Sequence, residues 1–118
     1  MARASVVAGL VRDGLTQSGV VEWQALGSSM RGAIDDGEVV RLVPPHPELL
    51  RTGAVVMALL DDDRLVIHRI RRVAGLRLEL RGDSRTRSDP LVPAAAVLGV
   101  VQPTPRPSPR TLLHRLVP

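Results

Sequence analysis

The chain has 118 residues with 16 basic and 12 acidic side chains, a formal charge of +4, and no cysteine, tyrosine or phenylalanine. That length suits one domain around one modest core, and the missing cysteine excludes disulfides, thiol nucleophiles and thiolate-held metals. Trp23 is the only aromatic residue, acidic residues are interspersed with the arginines, and no reader helix or RNA-binding aromatic motif is present, so specific nucleic-acid binding is not expected.

In chain order, Val6, Val7, Leu10, Val11 and Leu15 recur at helical spacing between Arg3 and about Gln17. They predict a short amphipathic helix packed on the domain, with docking on a membrane or partner protein as the alternative. The apolar stretch Ser5 to Val11 is far short of the roughly 20 residues that cross a bilayer, and no small-residue cleavage site marks it as a secretory signal. The expectation is a soluble, cytoplasmic protein without a transmembrane segment, touching a membrane at most peripherally.

Val20 to Leu26 predicts a strand running into a turn at Gly27, and Gly37 to Val43 another that stops at the prolines around His46. Ala54 to Leu60 and Leu65 to Ile70 predict two strands joined at Asp61-Asp62-Asp63. That triplet lacks further oxygen ligands at a recognisable spacing and reads as a solvated hairpin tip, so no metal and no cofactor is expected. Val73 to Leu80, split at Gly75, predicts a further hairpin in which Leu76, Leu78 and Leu80 alternate with Arg77, Glu79 and Arg81. Gly82 to Pro93 reads as a loop and Val97 to Val101 as a closing strand. From Pro103 to Pro109 every second residue is proline, which favours an extended chain beyond the domain. The fold class is therefore mainly β: residues 1–19 a helix, 20–102 a small β domain, and 103–118 a Pro/Arg-rich tail whose Leu112 to Val117 reads equally as a short terminal element, a docking peptide or disorder.

The chain contains no lysine, and arginine stays protonated, so a nucleophilic serine here must give its proton to a histidine. His46 lies among prolines and His114 in the tail, which leaves His68, in the apolar-flanked pair His68-Arg69, as the best-placed base. Gly27-Ser28-Ser29-Met30 is the serine block in question; taken alone, such a Gly/Ser turn more often shapes a loop than performs chemistry. The Ser29 N–H would be the natural oxyanion donor, with Ser28 as a supporting residue.

Several blocks in order change the weight of that reading. Gly27-Ser28-Ser29-Met30-Arg31-Gly32, Gly37-Glu38-Val39-Val40, Arg51-Thr52-Gly53-Ala54-Val55-Val56, Val66-Ile67-His68-Arg69-Ile70, Arg81-Gly82-Asp83, Asp89 and Leu98-Gly99-Val100-Val101 together resemble the signal peptidase family of serine peptidases. The resemblance is to the histidine-using endoplasmic-reticulum and archaeal type and to small bacterial relatives without a membrane anchor, and it spans roughly Val21 to Val101. Gly32 stands where the family usually has proline, Glu38 where it has aspartate, and Ala54 where it has an acidic residue. The resemblance implies a β domain of the signal-peptidase and repressor-protease kind, Ser29 as nucleophile, His68 as general base and Asp89 as the group that orients it. Asp83 competes for that last role but is read first as a brace of the loop after Gly82, and Arg69 as a structural partner on the opposite strand face. The implied activity is endopeptidase cleavage of an extended leader or precursor peptide with small residues beside the cut. A peptide-binding module that keeps the fold without catalysis is the alternative; a self-cleaving regulator ranks last, because its relatives use lysine.

Overall fold

The computed structural model describes residues 3–103. One helix, α1 (Arg3–Ser18), precedes seven strands: β1 (Val21–Gln24), β2 (Val39–Val43), β3 (Val55–Leu59), β4 (Leu65–Ala74), β5 (Arg77–Arg81), β6 (Val92–Pro93) and β7 (Val97–Val101). All seven form one antiparallel sheet in the order β1-β2-β7-β3-β4-β5-β6. The protein is thus mainly β with one short N-terminal helix. The tail, His114 and the proposed element at Leu112 to Val117 lie outside the described residues.

The central strand β3 is apolar on both faces, as expected of a strand covered on both sides. Val56 and Ala58 point into a core with Ile70, Leu78, Leu80 and Val97, while Met57 points into a second core beneath α1, with Leu42 and Leu98. The helix contributes Ala8, Val11 and Leu15 to that second core. Val6 and Leu10, expected on the same face, are instead 64% and 66% exposed. At about 100° per residue, Ala8, Val11 and Leu15 share one narrow arc, and Val6 and Leu10 fall well outside it; the five-residue apolar pattern merged two stripes of the helix. Gly99 in β7 sets how closely the helix settles, because a Cβ there would lie 3.1 Å from both Leu15 Cδ1 and the Val43 carbonyl oxygen.

Asp61 to Asp63 form the turn between β3 and β4, with Asp63 at a φ of 62°. Arg64 Nε donates to Asp62 at 2.6 Å and Ser5 Oγ to Asp63 at 2.9 Å, so the triplet is engaged in the turn and in holding α1. Two expectations need correction. Leu76 does not join Leu78 and Leu80 in the core; it sits in the β4–β5 turn, 84% exposed, because β5 starts one residue later at Arg77. The segment Gly82 to Pro93 is not loop throughout, since Val92–Pro93 pairs with Arg77 and Leu78 as β6; two residues are too short to leave a periodic signal. Among the described residues no helix is long and apolar enough to cross a membrane.

Candidate active site

His68 lies in β4 opposite Val56 of β3, and it is the one buried polar residue among the described residues, 6% exposed as a whole. Burial of an imidazole demands partners for both ring nitrogens, and both have one. Nδ1 lies 2.5 Å from Asp89 Oδ2 and Nε2 lies 3.2 Å from Ser29 Oγ. A carboxylate only accepts, so Nδ1 carries the proton toward Asp89 and Nε2 presents its lone pair to the Ser29 hydroxyl.

Asp89 reaches this position because the chain after β5 doubles back and its N–H donates to the Leu80 carbonyl at 2.8 Å. Its side chain and that of His68 are only 12% and 8% exposed, so little water competes for their contact. Ser29 is held by the turn that encloses it. Gly27 takes a φ of 98°, open to glycine at little cost, and its N–H donates to Asp36 Oδ1 at 2.9 Å. On the other side, Met30 and Ile34 plug a third apolar cluster with Ala25 and Val40. The serine therefore rides on a loop anchored by a buried neighbour.

A second loop locks the first. The Ser84 N–H donates to the Ser29 carbonyl at 2.8 Å, and Ser84 Oγ donates to the Ser28 carbonyl at 2.6 Å. Gly82 allows the two backbones to meet: a Cβ there would lie 2.7 Å from the Ser29 carbonyl oxygen and 2.9 Å from Ser29 Cβ, closer than real side chains approach. Among the described residues no acceptor engages the Ser29 N–H, which leaves it available to a ligand oxygen. The exposed Ser28 contributes its carbonyl to the loop contact, and its hydroxyl makes no hydrogen bond among the described residues.

Asp83 turns to the neighbouring strand residue instead. Arg69 Nε and one terminal nitrogen donate to its two carboxylate oxygens at 2.8 and 2.7 Å, and the other terminal nitrogen donates to the Gly53 carbonyl at 2.8 Å. Hydrogen bonding to Arg69 holds the Asp83 carboxyl below the usual carboxylate range, and the same contact raises the Arg69 guanidinium. The Asp83 N–H also points at Met30 Sδ, 3.3 Å away. Ser29, His68 and Asp89 are thus brought into one hydrogen-bonded line, and Asp83 is joined to Arg69 rather than to the histidine. His46 is exposed, beside the short 3-10 turn Pro47–Leu49, and is not part of the site.

The line opens into a cleft of about 710 Å³, whose lining includes the apolar Trp23, Ile67 and Met57 together with Ser29 and His68. Among the described residues no group of three or more histidine, aspartate or glutamate side chains is arranged to hold a metal ion. Two functional contacts have no clear sequence signal: Ser84, which looks like one more loop serine, and Asp36, whose cap on Gly27 depends on the turn closing. No protein-family model, curated protein or solved structure matches the chain.

Proposed function

We propose that the chain is a signal-peptidase-like serine endopeptidase that cleaves an extended leader or precursor peptide, with Ser29 as nucleophile, His68 as base and Asp89 as its orienting group. The observation that carries this reading is the unbroken contact from Asp89 through His68 to Ser29 at the wall of an open cleft. In this reading Ser29 Oγ gives its proton to His68 Nε2 as it attacks the substrate carbonyl, and Asp89 stabilises the imidazolium that forms. The Ser29 N–H receives the developing oxyanion. His68 then passes the proton to the departing amine, which breaks the peptide bond and leaves an acyl group on Ser29. A water molecule gives a proton to His68 and attacks the ester, and the proton returns to Ser29 as the acid product leaves.

Substrate binds as an extended segment beside the strand edge at the cleft. A leader or precursor segment in the cytoplasm is the substrate this reading favours. The test is mass spectrometry of a diverse peptide library incubated with the wild type, Ser29→Ala and His68→Ala. Cleavage by the wild type alone is expected, with each substitution lowering turnover by about 10⁴- to 10⁶-fold. Folded protein that binds peptides equally in the wild type and His68→Ala, with no cleavage, would instead identify a binding module.

A further inference from the structure

The cleft has an uneven charge. Arg64, Arg85 and Arg87 line it, and the only acidic residue in its lining is Asp89, already in contact with His68. Arg64 is paired with Asp62. Arg85 and Arg87 are exposed, and among the described residues neither has a carboxylate within salt-bridge distance. The nearby Glu79 does not neutralise them, because Ser88 Oγ and Arg72 Nε donate to its two carboxylate oxygens at 2.7 and 3.1 Å.

Arg85 and Arg87 stand on a loop that is anchored close to the proposed reacting atoms. Their loop is tied at one end by the two Ser84 contacts to the serine loop, and at the other by the Asp89 N–H to Leu80. The Arg85 N–H donates to the Gly82 carbonyl at 2.9 Å, and the Arg85 stem crosses Gly82, with Cγ 3.1 Å from where a Cβ of that glycine would stand. Gly82 itself abuts Ser29. Cations carried on such a loop beside a concave, partly apolar wall focus their field into the cleft, and guanidinium geometry matches a carboxylate bidentately.

Resting on the peptidase reading of this cleft, we propose that the preferred substrate is an acidic peptide, with an aspartate or glutamate near the scissile bond, and that Arg85 and Arg87 are the residues that select it. The experiment uses matched peptide pairs that differ only in Asp or Glu against Asn or Gln. Cleavage is followed with the wild type, and binding by fluorescence anisotropy with Ser29→Ala, which holds the peptides uncut. Each is repeated with Arg85→Gln/Arg87→Gln and with Arg85→Glu/Arg87→Glu.

The expected result is a preference for the acidic member of about 10-fold, given the modest strength of exposed ion pairs. It is lost in the glutamine variant, reversed to favour the neutral member in the glutamate variant, and reduced at 0.5 M salt as the screening length shortens. Acid preference in binding without cleavage supports the charge selection while removing the peptidase reading. Cleavage indifferent to the acidic residue overturns the selection and leaves the peptidase reading standing. Displacement of the peptide by an oligothymidylate of equal charge, at equal concentration, also overturns it, since that marks a surface for any polyanion.

Discussion

Two carboxylates six residues apart, Asp83 and Asp89, serve adjacent residues of the same strand in different ways. Asp89 meets His68, a group that can take and release a proton, in a nearly dry environment; Asp83 meets Arg69, a cation that does not titrate, with side chains 24% and 28% exposed. Adjacent residues of a strand point to opposite sides, so one loop grips β4 from both sides. The partner decides the role: a carboxylate beside an imidazole can steer a proton, whereas one beside a guanidinium can only brace. Under the proposed mechanism the two sides should separate cleanly when each is disturbed.

Among changes to the loop after β5 and its partners on β4 other than His68, the largest effect is expected for Asp89→Asn, which keeps the shape but favours the wrong histidine tautomer. Turnover should fall about 10³- to 10⁴-fold while the melting temperature changes little. Gly82→Ala comes next, because it pushes the serine loop directly. The added Cβ must displace the Ser29 backbone, and a shift of about 1 Å costs roughly 10²-fold in turnover, with about 1–3 kcal/mol of stability from the overpacking. Asp83→Asn should show the reverse balance to Asp89→Asn, with turnover within about 10-fold and stability lower by about 1 kcal/mol, the pair being partly screened.

Acid titration sharpens the contrast. The folded Asp83 carboxyl sits below its ordinary value because of Arg69, so its contribution is fully present above the unfolded value of about 3.9 and is lost as pH falls through the lowered folded value. The gap in melting temperature between wild type and Asp83→Asn should therefore be constant above about pH 5 and close below pH 4. A gap independent of pH would show that Asp83 acts through shape alone. Arg69→Lys should have the smallest effect on turnover, since it keeps the charge, while its loss of the fork that spans both carboxylate oxygens and the Gly53 carbonyl lowers stability by about 1 kcal/mol.

Much of this was legible in the chain. The runs at Ala54 to Leu60 and Val97 to Val101 are apolar without a charged interruption, and they emerge as β3 and β7 within a residue of their expected ends. The absence of lysine left histidine as the candidate partner for a reactive serine, and the apolar flanks of the His68-Arg69 pair singled out His68, which the structure places against Ser29. What was hidden depends on contacts between distant segments. The helix face could not be resolved while valines and leucines lay on two stripes, because only the sheet decides which stripe is covered. The divergence of Asp83 and Asp89 follows from strand alternation in β4, but their reach to those partners depends on the loop closing over Gly82. Ser84 carries no motif at all; its importance is purely positional.

Because the loop from Ser84 to Asp89 is fastened at both ends by its own backbone, exposed side chains at Arg85 and Arg87 can be exchanged with both anchors expected to stay in place. Under the proposed mechanism the scaffold is thereby modular: the segment that would meet the substrate is separable from the atoms proposed to break the bond.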